Sequence, residues 1–172
     1  MKNKIIVMIF VSAALLFCSC SSQLCLRKKT DRLIEKSYKN SDTIYLYSVA
    51  FNDFNLVWYH KGSFIYSFFV KPYKIKQYKP VEAKNIIVSN DSINKYFVSS
   101  INEDIQCFEQ VLDGAWVSLY IKNKKPLFSS IDTYCLFHNK YPVNSFPYKL
   151  QYDFSKMRKN PIGFDFEKMY SE

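Results

Sequence analysis

Only three glycines occur among the 172 residues, and that scarcity excludes whole classes of site. Phosphate-cradling loops need glycine where backbone N–H groups close on an anion, and no such glycine-rich run is present. Glycine-rich repeats are excluded too, and no solenoid or propeller period is visible. Histidine is scarcer still, with His60 and His138 alone. The paired Cys-x-x-Cys and His-x-x-x-His spacings of zinc sites are missing, as is the Gly-x-Ser-x-Gly elbow of serine hydrolases. Long apolar runs are also absent. The run from Ile5 to Phe17, interrupted by Ser12, has 13 uncharged residues. At 1.5 Å per helical residue these cover about 20 Å, short of the roughly 30 Å hydrocarbon core of a bilayer. Aromatic residues, in contrast, are plentiful: 15 Phe, 14 Tyr and 2 Trp in a chain that is 48% apolar. Such a composition folds around a core and excludes intrinsic disorder.

The short apolar run sits behind Lys2 and Lys4 and ends in "LLFCSCSSQLC", residues 15 to 25. A positive start, an apolar middle and small residues to follow are the three parts of an export signal. The segment resembles the lipobox of bacterial lipoproteins, in which a small residue precedes the cysteine that becomes the lipidated N-terminus. Ser19 precedes Cys20, whereas bulky Phe17 precedes Cys18 and Leu24 precedes Cys25. Phe17 occupies the place where the pattern usually has leucine. The resemblance covers the first two dozen residues only. It implies that residues 1–19 leave as a signal peptide and that Cys20 carries a thioether-linked diacylglycerol and an amide-linked acyl chain of the palmitate kind. Each buried CH₂ contributes about 0.8 kcal/mol, so two or three chains anchor a protein where one is marginal. Ser21 in place of Asp favours the outer membrane over the inner, by the same analogy. The expected location is therefore the bacterial cell envelope, with the membrane itself as a partner through the lipid on Cys20.

About 150 residues then remain, enough for one domain. The formal charge is +9, and +7 once Lys2 and Lys4 are removed. Export argues against a nucleic-acid partner. An envelope protein or an anionic polysaccharide fits the charge better than nucleic acid does, and a solvated lysine-rich surface is the simpler account of it. Cys25, Cys107 and Cys135 remain in an oxidising compartment. Cys107 and Cys135 are candidates for a disulfide if their Cα atoms come within roughly 7 Å.

Residues 20–42 read as a lipidated tether. Arg27, Lys28, Lys29 and Arg32 lie where anionic headgroups would meet them. Within this stretch Thr30 and Asp31 suit the cap of a short helix with Leu33 and Ile34 as its apolar side, and a plain polar spacer fits as well. A single domain is expected over 43–154 and an irregular tail over 155–172. "TIYLYSVAF" is rich in β-branched and aromatic types. "NLVWYH", Lys61-Gly62 and "SFIYSFFV" predict an antiparallel hairpin with Gly62 at positive φ. "YKIKQYK" between Pro72 and Pro80, and "NIIVS" at 85–89, are further strand candidates. Ile93, Phe97, Ile101, Ile105, Phe108 and Leu112 repeat at helical spacing and predict a helix with room for a break near its middle. "AWVSLYIK", "IDTYCLFH" and "FPYKLQYDF" then read as strands, the last from the alternation of Tyr148, Leu150, Tyr152 and Phe154 with polar residues. The expectation is an α+β fold, an antiparallel sheet of about six or seven strands with one long or two short helices packed on it.

Constellations for chemistry are weak, and the sequence nominates no catalytic residue, no metal ligand set and no cofactor. Cys135 and His138 fall three apart, which on a strand places them on opposite faces. Glu103, Glu109 and Asp113 crowd one helix in a surface-like setting, unsuited to acid catalysis. A candidate binding surface combines aromatic and basic residues of the strands, Trp58, Tyr73, Lys74, Lys76, Tyr78 and Trp116, although ordinary core packing of an aromatic-rich sheet is the better account of the aromatics. The reading favoured is a membrane-anchored envelope lipoprotein with a non-enzymatic binding domain. The alternative is an envelope hydrolase acting on cell-wall or glycan substrates, which would show a deep pocket with converging acids and bases. A purely structural surface lipoprotein would show neither pocket nor patch.

Overall fold

The structure is a computed structural model that describes residues 22–49, 53–97, 115–131, 136 and 140–157. These residues form an α+β fold whose centre is a seven-stranded antiparallel sheet. Its strands are β1 (Thr43–Val49), β2 (Asn55–Lys61), β3 (Phe64–Val70), β4 (Ile75–Gln77), β5 (Val81–Glu82), β6 (Ala115–Ile121) and β7 (Leu127–Ile131). The spatial order is β4-β3-β2-β1-β6-β7, and β5 shares the outer edge of β3 with β4. Among the described residues the sheet is accompanied by α1 over 22–37, α2 (Asn90–Phe97) and α3 (Phe146–Met157).

The aromatic and β-branched composition of the first three strands explains their length, and the turn chemistry sets their register. Lys61 stands opposite Phe64 in the β2–β3 hairpin, and Gly62 has the expected positive φ, 60°. Side chains then alternate between two faces. Tyr45, Tyr47, Leu56, Trp58, Ile65, Val117 and Leu119 share one core with Phe146, Leu150, Phe154 and Met157 of α3. Ile44, Leu46, Val57, Tyr59, Phe68 and Val70 share a second core with Leu26, Leu33 and Ile34 of α1. Each fully buried Leu, Ile or Phe contributes about 1.5–3 kcal/mol, so both faces help to hold the fold. Ring contacts stiffen the α3 core, with Trp58 stacked on Tyr45 at 5.2 Å and tilted against Phe154 at 5.3 Å.

Several expectations change. The stretch "FPYKLQYDF" is helix rather than strand. Ser145 caps it, its Oγ accepting from Tyr148 N–H at 3.3 Å, and Pro147 sits in the first turn where its missing N–H costs nothing. The buried positions, 146, 149, 150, 153, 154 and 157, follow a helical period once Lys149 and Asp153 are counted as inward. This helix runs past 154 to Met157, which belongs to the core, so the compact unit extends beyond the expected boundary. Residues 22–37 of the expected tether are a helix on the sheet, its apolar stripe supplied by Leu26, Leu33 and Ile34. "NIIVS" at 85–89 is not strand, and only Ile75–Gln77 of "YKIKQYK" pairs. The expected helix at 93–112 is present over Asn90–Phe97, and its remainder lies outside the described residues, as do residues 1–21 and 158–172. Of "IDTYCLFH", Ile131 ends β7 and Leu136 is a core residue, while the other positions lie outside the described residues.

Candidate functional site

The two faces of the sheet carry polar residues of opposite character. Beneath α3 lies a closed charged cluster. Lys149 and Asp153, one helical turn apart, both point into the sheet and are 2% and 0% exposed. Asp153 Oδ2 accepts from Trp58 Nε1 at 3.0 Å, and His60 Nε2 stands 3.0 Å from both carboxylate oxygens. Lys149 Nζ lies 3.4 Å from Asp153 Oδ2, 3.0 Å from His60 Nε2 and 3.3 Å from Asn85 Oδ1. It also sits over the Tyr45 ring at 5.3 Å.

The carboxylate of Asp153 and the ammonium of Lys149 offset one another, and His60 Nε2 stands within 3.0 Å of both groups. His60 Nδ1 has no hydrogen-bond partner among the described residues. Burial pushes the Lys149 ammonium below its ordinary value, while the charge and hydrogen bond of Asp153 pull it back up. Burial, and then the Asp153 carboxylate, push the Tyr45 phenol far above its ordinary value. The sequence signal for this cluster was the Lys149–Asp153 spacing of four, masked by reading the segment as a strand. His60, near the end of β2, is buried at 7% exposure.

On the opposite face α1 covers only part of the sheet. Its inner residues pack against β1, β2 and β3, and beside it a groove of about 550 Å³ opens over β1, β6 and β7. Trp116 of β6 and Phe128 of β7 line it, 36% and 59% exposed. Leu46, Tyr120 and Ser118 form the sheet side, and Arg27 and Asp31 stand along the helix side. The floor exists because small polar residues replace bulky ones on this face. Ser48 lies opposite Trp116 in one register and opposite Asn55 in the other, and Ser118 lies opposite Leu46.

A hydrogen-bonded chain then fixes the helix at the groove's rim. Ser48 Oγ donates to Asn55 Oδ1 at 2.8 Å, and Asn55 Nδ2 donates to Thr30 Oγ1 at 2.9 Å. Thr30 Oγ1 in turn donates to the Leu26 carbonyl at 2.9 Å. Ser118 Oγ is buried without a partner among the described residues. Burial first, then the Asp31 carboxylate and Tyr38, push the Tyr120 phenol up, and Arg27 acts the other way. The groove is thus aromatic and mixed in charge.

The predicted binding residues do not come together. Trp58 is fully buried and Tyr78 is 8% exposed, so both are corrected to core positions: Trp58 faces α3 inward, and Tyr78 lies under Lys76, whose Nζ is 5.1 Å from its ring. Tyr73, Lys74 and Lys76 are exposed at the β4 edge. Trp116 lies on β6, separated from β4 by three strands. Trp116 is 36% exposed beside Phe128, Tyr120 and Arg27, residues that the sequence did not group with it. Cys20, Cys107, Cys135, His138, Glu103, Glu109 and Asp113 lie outside the described residues. Cys25 is a free thiol, and its Sγ donates to the Pro72 carbonyl at 2.9 Å. Among the described residues no group of three His, Cys, Asp or Glu side chains is placed to hold a metal ion, and no helix is long and apolar enough to cross a membrane. Comparison with protein-family models, with curated protein sequences and with solved structures gives no match.

Proposed function

We propose that this chain is a lipid-anchored protein of the bacterial cell envelope, at the outer membrane, whose domain binds a partner through the groove between α1 and β6–β7. The observation that carries the binding reading is the contrast in access. The groove is open, with Trp116 and Phe128 exposed beside it. The acid–base cluster of His60, Lys149 and Asp153 is enclosed, and catalysis on a cell-wall or glycan substrate would require it to be reached. An envelope protein suits the groove better than a polyanion. Arg27 and Asp31 balance one another there, and among the described residues β7 is the last strand in the sheet order, where an extended segment can add alongside.

Two measurements test the proposal. Cys20→Ala is expected to abolish acyl labelling and release the protein from the membrane fraction; a membrane-bound, acyl-labelled variant would sink the anchor. A photo-crosslinking residue at position 128 is expected to trap a protein adduct in intact cells, and adding Trp116→Thr to remove it. The same residue at position 125, in the β6–β7 turn, is the control. Equal adducts at both positions, or saturation by an acidic polysaccharide instead, would overturn the protein-partner reading.

A further inference from the structure

The groove is one consequence of where α1 docks; the other is which end of the domain meets the membrane. Residue 22 is the first described residue and already lies in α1, and two residues of chain span at most about 7 Å, so a lipid on Cys20 would tether the domain at this end of the helix. The helix does not swing freely: Leu26, Leu33 and Ile34 are buried in the second core, and Thr30 is bonded to Asn55 of β2. The β3–β4 loop lies against its first turn, through the Cys25 thiol and the Pro72 carbonyl.

That loop is basic and aromatic. Tyr73 is 79% exposed, Lys74 is exposed, and the Lys71 side chain is 48% exposed, with a loose 3.9 Å contact to Asp53 and its Nζ 5.7 Å from the Phe69 ring. Leu24, 53% exposed, adds an apolar group from the helix itself, and Lys28 follows it one turn on. An amphipathic aromatic, an exposed leucine and lysines around one point match the interface of a bilayer, where rings sit at headgroup level and ammonium groups meet anionic phosphates.

We infer that the β3–β4 loop, with Tyr73 and Leu24 at its centre and Lys28, Lys71 and Lys74 around them, seats the domain on an anionic lipid surface and fixes its orientation there. The inference rests on the anchor at Cys20 proposed above. The docked end is that of the β3–β4 loop, and the β6–β7 turn with Lys124 and Lys125 points away from the bilayer.

Lysine acetylation of the full, membrane-extracted protein tests this. It would be reconstituted in vesicles of phosphatidylethanolamine and phosphatidylglycerol, then in phosphatidylcholine alone, with detergent-solubilised protein as the reference. The expected result is a several-fold loss of labelling at Lys71 and Lys74 on the anionic vesicles, with Lys124 and Lys125 unchanged. A variant with Tyr73→Ser and Leu24→Ser, both exposed and outside the cores, is expected to lose that protection while keeping the acyl mass on Cys20. Acyl mass present with equal labelling of all four lysines would overturn the orientation and leave the anchor standing. No acyl mass on Cys20 would overturn both. Equal protection on phosphatidylcholine would overturn the requirement for anionic headgroups.

Discussion

The two faces of this sheet are built from the same strands and end in opposite states. Under α3 every inward position is filled, down to a carboxylate and an ammonium group enclosed together. Under α1 the packing stops part way, because Ser48, Asn55 and Ser118 stand where larger residues would have continued the core. The difference teaches how one domain divides its labour. A face closed over charged groups ties its helix to the sheet, since Asp153 meets Trp58 and His60 of β2 and Lys149 meets His60. A face left partly open keeps surface for a partner, and holds its helix with a short chain of hydrogen bonds instead of bulk.

If the closed face is structural, breaking its pair has the largest effect of any single change. Asp153→Ala leaves Lys149 as a buried, uncompensated cation and removes the acceptor for Trp58 Nε1. A loss of about 3–5 kcal/mol is expected from urea unfolding. The double replacement Lys149→Met with Asp153→Leu removes both charges and is expected to recover the part of that loss due to the uncompensated cation, while Trp58 Nε1 stays without its acceptor. A double variant as unstable as the single one would show that the lost acceptor, and not the buried cation, sets the cost.

The open face gives the next largest effect. Ile34 is 3% exposed on α1, in a stretch whose sequence also suited a plain spacer. Ile34→Ala is expected to cost about 2–5 kcal/mol, the usual range for emptying a core site. A change near zero would return 22–37 to the role of a spacer outside the cooperative unit. Leu33 and Ile34 were visible in the sequence as an apolar pair, but Leu26 lies a full two turns away among basic residues, so the stripe was too sparse to outweigh its charged setting.

Legibility followed the same physical line elsewhere. Strands β1, β2, β3 and β6 could be read because β-branched and aromatic residues fill them almost without interruption, and Gly62 could be read because a two-residue turn demands its positive φ. Helix α3 could not. Tyr148, Leu150, Tyr152 and Phe154 alternate as in a strand, and the helical period appears only when Lys149 and Asp153 are treated as core residues. Charged side chains are rarely buried, so a reading by polarity assigns them outward. The partner that permits their burial, His60 with Trp58, lies about ninety positions earlier in the chain. The groove escaped for a related reason. It is made by what small serines leave out, and strand position alone does not say that α1 stops short of β6.

The charged cluster also predicts a pH dependence. Folding depresses the Lys149 pKa below 10.5, so between the depressed value and 10.5 the unfolded chain binds more protons than the folded one. The contribution of Lys149 to stability therefore rises with pH through that window and is lost as pH falls through it. Tyr45 acts oppositely: its raised pKa means the unfolded chain sheds a proton above 10.0 that the folded one keeps, and stability falls there. Urea midpoints against pH are expected to climb toward this region and then decline, with each group limited to about 1.4 kcal/mol per pH unit. The Lys149→Met, Asp153→Leu variant is expected to lose the climb and keep the decline. A climb of the same size in that variant would remove Lys149 as its source.

The smallest stability effect belongs to the residues to which we assign the function, and that pairing is what makes them informative. Trp116 and Phe128 border the groove and are only partly enclosed. Threonine keeps the strand preference at both sites, so Trp116→Thr and Phe128→Thr are expected to shift stability by about 0.5 kcal/mol or less. Exposed aromatics at the centre of an interface often carry a disproportionate share of its binding energy. The pair is therefore expected to weaken capture of the partner at least about tenfold, or 1.4 kcal/mol, while leaving the fold intact. A large loss of stability with these changes would mean that Trp116 and Phe128 complete the core, and the open face would have to be counted as closed. Unchanged stability together with unchanged capture would leave the groove without a role and move the search to the Tyr73 edge of the sheet.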